Sequence, residues 1–226
     1  ATRLIPQRYY SASTSGLNNQ GVTGERTLAL LAANPTLLKR VNGHLEEMLG
    51  LKLHVRVRTR EYITSDGKRK RYATDSLDVR VTRVGYEEDR LELPDVGFGV
   101  SQLLPVLCAI LSPGTLIIEE PESNLHPAAQ QKLMRIMVKQ VEAGQTSVGI
   151  SGGTLIMETH SEHFLLEVLR SIADPECSLT DDDVSILYVH TTPQHGTVVK
   201  RHTTSNGVLD ERFPKEFSGD YELSMI

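Results

Sequence analysis

Two stretches of the chain combine a continuous apolar run with a polar end. They cover residues 115–122 and 154–161. Such runs are typical of parallel strands that are covered on both faces, and α/β sheets carry their chemistry just beyond the carboxyl ends of those strands. Between them lie a turn at residues 123–127 and an amphipathic run to Val141, which predict a crossover helix that begins near Pro127. Together these patterns predict a right-handed βαβ unit.

The remaining periodicity divides the chain into further helices and strands. Leucines at helical spacing predict two helices between residues 25 and 49, with a break before Pro35. Alternation of apolar and charged residues predicts antiparallel strands, two of them joined across a turn at residues 65–67. Ser161 is the predicted N-cap of a later helix. The predicted strands cover residues 51–60, 77–84, 184–190 and 197–202, and the further helices cover 103–111 and 161–173.

The first apolar strand ends in two adjacent carboxylates, Glu119 and Glu120. Adjacent strand residues point to opposite sides, so one carboxylate can hold a metal ion while the other polarises a water molecule. A solvated strand end is the ordinary interpretation of this segment taken alone. The second strand changes that interpretation, because it delivers Glu158 and His160 to the same predicted sheet edge.

With these features the chain resembles the ABC-type ATPase heads of the RecF, RecN, SMC and OLD group. Residues 96–104 resemble the signature segment, 115–120 the Walker B strand, 123–127 the D-loop, and His160 the switch histidine. The four elements follow one another in the family's order. The resemblance implies an α/β fold, a partial P-loop NTPase head with a mainly parallel core sheet flanked by helices and a small antiparallel β subdomain.

The resemblance also gives each matching residue a role. Glu120 matches the general base that orients the attacking water, and His160 matches the γ-phosphate sensor. Glu119 matches the Walker B acid near Mg²⁺; the family often has Asp there, so we expect the longer side chain to reach the metal through a water. Family signatures often begin with Ser where Gly97 stands, which leaves Ser101 as the substitute hydroxyl. The signature residues expected to contact ATP are Gly97, Gly99, Ser101 and Gln102.

An ATPase of this kind binds phosphates through a G-x-x-x-x-G-K-[ST] loop at a helix N-terminus. No segment of the sequence fits that pattern, since the glycine-rich residues 149–153 lack a lysine and Gly67 and Lys68 sit in a charged turn. Because the chain also begins at Ala1 without an initiator methionine, we expect it to be the C-terminal half of a head. The N-terminal half would carry the Walker A loop, and this half alone is expected to be inactive.

For the whole protein the resemblance implies ATP hydrolysis with Mg²⁺ by two heads that dimerise around nucleotide, in DNA maintenance or phage defence. Three parts are predicted within the chain. Residues 1–50 are a connecting loop and helices, residues 51–94 an antiparallel β hairpin subdomain, and residues 95–226 the C-terminal half of the head.

Composition narrows the class of protein further. The chain has 226 residues, of which 39% are hydrophobic, and this is enough for a core. No apolar run approaches the roughly 20 residues that span a bilayer, and no leader resembles a signal peptide, so we expect a cytoplasmic protein without membrane contact. Cys108 and Cys177 are expected to be free thiols, since two distant cysteines make neither a disulfide framework nor a zinc site.

A cluster of basic residues stands out against the net charge of −5. It surrounds the predicted turn at residues 65–67, and two interpretations remain open. The charges either solvate a hairpin tip and protect a strand edge, or they contact the DNA backbone in a salt-dependent and sequence-tolerant way. The residues that would contact DNA are Arg56, Arg58, Lys68, Arg69, Lys70 and Arg71.

Other chemistries fit the sequence less well. A zinc site built on His160 and His163, with Glu158 and His126 as further ligands, would need three or four converging ligands, and two imidazoles three residues apart supply at most two. Ser161 beside His160 suggests a hydrolase pair, but adjacent residues diverge and no G-x-S-x-G elbow is present. The main alternative is a non-enzymatic module that binds protein or nucleic acid through a degenerate ATPase-like fold.

Overall fold

The protein is described by a computed structural model that covers residues 10–11, 26–112, 115–146, 154–192, 196–202 and 204–210. Most of the connecting loop predicted before the first helix, the glycine-rich residues 149–153 and everything after residue 210 lie outside these residues. The helices are α1 (Thr27–Ala33), α2 (Pro35–Leu49), α3 (Phe98–Ile110), α4 (Pro127–Thr146) and α5 (Glu162–Ala173). The strands are β1 (Tyr10–Ser11), β2 (Leu51–Ile63), β3 (Arg69–Arg83), β4 (Tyr86–Leu91), β5 (Leu116–Glu119), β6 (Leu155–Glu158), β7 (Ile186–Thr192), β8 (Gly196–His202), β9 (Thr204–Ser205) and β10 (Val208–Leu209).

The chain divides into two compact units. The first takes the residues up to Ala129 together with Leu155–Glu158, and the second takes Gln130–Thr154 and the residues from Thr159 onwards. The boundary therefore falls inside α4 and directly after β6. The three-part division expected from the sequence stays a prediction.

An antiparallel sheet forms the larger part of the first unit. The strand order is β1–β3–β2. Strand β4 pairs with the last residues of β3, beyond the residues of β3 that pair with β1. Leu53 lies opposite Val81 and Val55 opposite Val79, and all four side chains are buried. Because strand residues alternate between faces, the charged residues between them point away from this core. The predicted alternation is thus confirmed in this part of the two strands.

Helices α1 and α2 pack against this sheet, and α1, α2 and α3 pack with one another. The break predicted before Pro35 is confirmed: Asn34 caps α2 by accepting a hydrogen bond from the Leu37 backbone N–H at 3.0 Å. Further along α2, the Asn42 side chain accepts from the Leu53 N–H at 2.7 Å and donates to the Leu53 carbonyl at 2.9 Å. This amide satisfies the backbone groups of Leu53 on the side of β2 where the described residues supply no partner strand.

Strands β2 and β3 are longer than the sequence pattern predicts, because β2 continues to Ile63 and β3 already begins at Arg69. The turn between them falls at residues 65–67, as predicted. A shift in strand pairing between Val57 and Thr59 marks the end of the buried part. Beyond it, residues 59–63 and 69–73 are all exposed, and we call this two-stranded segment the outer ribbon. The alternating pattern weakens there because neither face of the outer ribbon covers a core.

Strands β5 and β6 pair in parallel, with Ile117 opposite Ile156 and Glu119 opposite Glu158. The predicted parallel pair, with a helix between its strands in the sequence, is therefore confirmed. A mainly parallel core sheet is not seen among the described residues, where β5 and β6 form the only parallel pair and the remaining pairs are antiparallel. The broader assignment to an α/β fold stands.

The second unit is built from most of α4, from α5 and from two small antiparallel sheets, β7–β8 and β9–β10. Leu133, Met137 and Phe164 are fully buried in its core. Arg135 on α4 forms an ion pair with Glu167 on α5, whose side chain is only 5% exposed. The helix predicted at residues 161–173 and the late strand pair are confirmed. None of the helices in the described part of the chain is long and apolar enough to cross a membrane.

Candidate active site

The carboxyl end of β5 carries an exposed acidic group on an exposed apolar face. Ile117 and its partner Ile156 are 69% and 54% exposed, whereas Ile118 points to the opposite face and is buried. Because side chains two residues apart share a face, Glu119 lies on the same exposed face as Ile117, directly across from Glu158. Two carboxylates therefore meet at the end of the parallel pair.

The next residue, Glu120, adopts a conformation that is unusual for its type. Its φ of 43° lies in the left-handed region, which costs a residue with a Cβ about 1–2 kcal/mol. The Glu120 N–H donates to the Glu158 carbonyl at 2.9 Å, so the link between the strands continues beyond β5. The Ser123 hydroxyl donates to Glu120 Oε2 at 3.0 Å, and the Ser123 N–H donates to the Glu120 carbonyl at 3.1 Å. Strained residues held by their surroundings in this way are concentrated at functional sites.

The loop after Glu120 is fixed to the start of α3 by two contacts at Asn124. Its side-chain amide donates to Gln102 Oε1 at 2.7 Å. Its carbonyl oxygen approaches Gly99 so closely that a Cβ built on that glycine would lie 2.6 Å away. A backbone approach of this kind admits only glycine. The structure therefore brings together two segments that were matched separately to the family, the predicted D-loop and the predicted signature.

The start of α3 holds the other predicted nucleotide contacts. Gly97 is the N-cap and has a φ of 106°, and no side chain caps the helix there. Ser101, the expected substitute hydroxyl, is fully buried, and its Oγ makes no hydrogen bond among the described residues. Gln102 is also buried, and its contact with Asn124 gives it a positioning role in this structure. A phosphate that contacts Ser101 would have to displace the atoms that cover it.

His160 follows β6 by two residues and belongs to the second unit, and its side chain is exposed. A shared site for Glu120 and His160 therefore stays a prediction. The neighbouring Ser161 has a structural role. Its hydroxyl accepts a hydrogen bond from the Phe164 N–H at 3.3 Å as the N-cap of α5, and it donates one to Gln130 Oε1 at 2.6 Å. These bonds leave no role for Ser161 as a nucleophile activated by His160.

The sequence offers two candidate places for a metal ion, Glu119 for Mg²⁺ and the set His126, Glu158, His160 and His163 for zinc. In the part of the chain that the structure describes, no three His, Cys, Asp or Glu side chains converge in a way that could hold a metal ion. His126 accepts from the Ala128 N–H at 3.3 Å, a local contact at the start of α4. A Mg²⁺ ion bound mainly by nucleotide phosphates and waters needs only one or two carboxylates, and the exposed Glu119 fits that requirement.

The cysteines contribute nothing to this site. Cys108 is buried in α3, and burial raises the pKa of its thiol to about 12. Burial also raises the pKa of Cys177, which lies after α5. Both are free cysteines, as predicted.

Sequence reasoning found the two carboxylates but missed the groups that position them. The sequence places Ser123 and Asn124 only within the D-loop, and it places Glu158 at the sheet edge without pairing it with Glu119. The signal was present for Asn124, since asparagine tolerates the left-handed conformation that it adopts here, with a φ of 61°. No pattern in the sequence could have paired it with Gln102.

A parallel strand that ends in carboxylates, followed by a loop fixed to a helix start, is the kind of site that ligand-binding α/β domains build at their strand ends. Residues 37–167 match the family described as "AAA domain, putative AbiEii toxin, Type IV TA system". The match covers more than half of the 226 residues, and the chain belongs to this family. Membership supports an ATPase-type function, which takes a nucleotide as substrate and typically uses Mg²⁺.

Solved structures that resemble the chain include SMC ATPase heads. One, described as "Structural biochemistry of ATP-driven dimerization and DNA stimulated activation of SMC ATPases", is 10% identical with a TM-score of 0.45, over 80% of this chain and 90% of that chain. Another, the SmcHead bound to the C-winged helix domain of ScpA, is 9% identical with a TM-score of 0.48, over 81% of this chain and 47% of that chain. At these values neither likeness carries an argument about function. No curated protein matches the chain.

Proposed function

We propose that the chain is the C-terminal half of an ABC-type ATPase head that binds and hydrolyses ATP. The observation that carries this proposal is the contact between the loop that follows the acidic strand end and the start of α3. The loop after Glu120 packs its Asn124 carbonyl against Gly99, which accounts for a glycine at that position. The segments that resemble the D-loop and the signature contact each other, and both lie in one unit with the segment that resembles Walker B, which supports their assignment to one head.

In this proposal Glu120 is the general base that orients the attacking water. The Ser123 hydroxyl donates to its Oε2 at 3.0 Å and so helps to hold the carboxylate in one position, as a general base requires. Glu119 would hold Mg²⁺ through a water, and the ion would neutralise the charge that develops on the phosphates. His160 is assigned to the γ-phosphate, and Gly97, Gly99, Ser101 and Gln102 to the nucleotide held by a second head.

Two further components complete the proposed enzyme. One is an N-terminal half that supplies the Walker A loop, since the chain itself contains no such pattern. The exposed apolar face formed by Ile117 and Ile156 is a surface on which additional sheet or helix can pack. The other is a second head, so that nucleotide is clamped between the two. A cytoplasmic location, where ATP is abundant, is part of the same proposal.

What hydrolysis drives is proposed from the family's description. The description names a toxin of a type IV toxin–antitoxin system, and this favours a role in phage defence over a role in DNA repair or maintenance. Contact with nucleic acid is consistent with either process, and we assign it to the basic segment around β2 and β3. Seven cations stand against two carboxylates between residues 56 and 74. The residues first proposed for DNA contact are Arg56, Arg58, Lys68, Arg69, Lys70 and Arg71.

Two measurements test the ATPase proposal. The coding sequence upstream of Ala1 is expected to contain a glycine-lysine phosphate loop. Calorimetric titration with Mg-ATP is expected to detect binding when that upstream half is restored and little or none by the 226 residues alone. If the joined protein fails to bind Mg-ATP, the proposal is wrong, and the alternative of a non-enzymatic binding module with an ATPase-like fold takes its place.

A further inference from the structure

The outer ribbon has two chemically different faces. Arg60 lies opposite Tyr72, and Tyr62 lies opposite Lys70. Directly opposed residues of an antiparallel pair share a face, and so do residues two apart on one strand. These four side chains therefore occupy one side of the ribbon, which we call the tyrosine face. Both of its rings are open to solvent, Tyr62 being 46% and Tyr72 47% exposed.

The two rings of the tyrosine face contact each other edge to face. Their centroids are 5.9 Å apart and their planes meet at 65°. In this arrangement each ring supports the other, while much of each remains uncovered. Arg60 and Lys70 flank the rings, and both cations are exposed. The face thus displays two ordered aromatic groups between two positive charges.

The opposite face of the outer ribbon carries a carboxylate and an aliphatic side chain. Glu61 lies across from Arg71 and accepts a hydrogen bond from its Nε at 2.6 Å. Ile63 is 70% exposed beside Arg69 on the same side. The second carboxylate of the segment, Asp66, is paired with Lys68 at 3.1 Å in the turn. No carboxylate of the ribbon therefore lies on the tyrosine face.

We propose that the tyrosine face binds single-stranded nucleic acid. Exposed aromatic rings stack on bases of any sequence, and flanking cations follow the phosphate backbone. A duplex would offer the phosphates but would keep its bases stacked inside, where these rings could not reach them. A membrane surface would favour a face with aliphatic side chains, and Ile63 lies on the other side.

This inference deepens the proposed contact with nucleic acid, but it requires neither ATP nor a second head. It adds Arg60, Tyr62 and Tyr72 to the residues first considered, and it predicts which side of the ribbon the ligand occupies. Because the surface is small and charged, we expect affinity to fall steeply as salt concentration rises. Sequence preference is expected to be weak.

The test measures fluorescence anisotropy of labelled oligo(dT), oligo(rU) and a DNA duplex of equal length, with the 226-residue chain at low and high salt. Both single strands are expected to bind more tightly than the duplex, and the ratio of dT to rU affinity assigns DNA or RNA as the preferred form. Changing both Tyr62→Leu and Tyr72→Leu should weaken single-strand binding about tenfold or more, whereas the matched pair Tyr62→Phe and Tyr72→Phe should bind like the parent.

The sides of the ribbon are compared by two neighbouring single changes. Lys70→Ala and Arg69→Ala each remove one cation, but from opposite faces, and Lys70→Ala should weaken binding more. The chain has seven tyrosines and no tryptophan, so quenching of its tyrosine emission by the oligonucleotide reports stacking even if the leucine variant fails to fold.

Several outcomes would overturn this inference. Equal losses from Lys70→Ala and Arg69→Ala would remove the assignment to one face. Duplex binding as tight as single-strand binding would leave an electrostatic contact with nucleic acid and remove the role of the rings. Binding only to vesicles of anionic phospholipid, or only to an acidic protein, would replace nucleic acid as the ligand. None of these results bears on ATP hydrolysis, so the two proposals fail separately.

Discussion

The loop after β5 and the outer ribbon differ in how their side chains are held. In the loop, Glu120, Ser123 and Asn124 are tied to neighbouring groups by hydrogen bonds and by close packing against Gly99. In the outer ribbon, Tyr62 and Tyr72 are held by strand pairing and by each other, with both faces exposed.

The difference corresponds to two kinds of function. A reaction requires groups fixed to within a fraction of an ångström, which only surrounding contacts provide. Binding a flexible polymer requires exposed rings and charges on a regular backbone, which a two-stranded ribbon provides. Changes in the loop should therefore affect stability and chemistry together, whereas changes in the ribbon should affect binding with little effect on stability.

The largest effect on stability is expected from Gly99→Ala. A Cβ at this position would lie 2.6 Å from the Asn124 carbonyl oxygen, so helix or loop must move, at a cost of about 1–3 kcal/mol. Gly43→Ala is the matched control, because Gly43 lies inside α2 with no atom within 4 Å of its added Cβ. That change should stabilise the protein by about 1 kcal/mol. Urea unfolding of both variants measures the two effects. If Gly99→Ala proves as stable as Gly43→Ala, the close packing at Gly99 is contradicted.

The contact between Gln102 and Asn124 should have the next largest effect. Gln102→Ala leaves the Asn124 amide without its 2.7 Å acceptor and should cost about 1 kcal/mol. A double-mutant cycle with Asn124→Gly, which keeps a residue suited to the φ of 61°, should give a coupling energy of about 0.5–1.5 kcal/mol. A coupling energy near zero would mean that the two side chains do not act together in solution.

A smaller effect on stability is expected in the ribbon. Replacing Tyr62 and Tyr72 by leucine should change the free energy of unfolding by less than about 1 kcal/mol, since both side chains are nearly half exposed and lie outside the core. Thermal denaturation followed by circular dichroism provides the measurement. A large loss would show that the rings stabilise the fold, and the contrast with the loop would disappear.

The smallest effect should come from His54, on β2 in the buried part of the sheet. Burial, together with Lys52, Arg90 and Arg56, lowers its pKa below 6.5. Because the unfolded chain binds the proton more readily, the stability that His54 contributes is present above pH 6.5 and is lost as the pH falls below that value towards the folded pKa. His54→Gln should flatten this fall in melting temperature, and an unchanged pH profile would argue against it.

The sequence predicted much of the fold because the buried elements leave periodic patterns. The helix break at Pro35, the N-cap at Ser161 and the parallel pairing of β5 with β6 all follow from local rules. The two strands that form the outer ribbon are predicted too short, since a strand exposed on both faces need not alternate apolar with polar residues.

At the candidate site, sequence reasoning found the groups that carry charge but not the groups that hold them. Glu119 and Glu120 were predicted from their place at a strand end. The contacts of Asn124 with Gln102 and Gly99 join residues more than twenty positions apart, and no local pattern encodes such a pairing. The tyrosine face was missed for a related reason, because which side a ribbon residue occupies depends on strand pairing after an irregularity.

In the proposed enzyme Glu120 orients the water that attacks ATP. The most direct test is steady-state ATP hydrolysis by the chain joined to its Walker A half, comparing Glu120→Gln with Glu158→Gln, which removes a carboxylate from the neighbouring strand end. If Glu120 is the general base, Glu120→Gln keeps Mg-ATP binding but lowers turnover by about 100-fold or more, while Glu158→Gln retains turnover within a few-fold. Normal hydrolysis by Glu120→Gln would contradict that role.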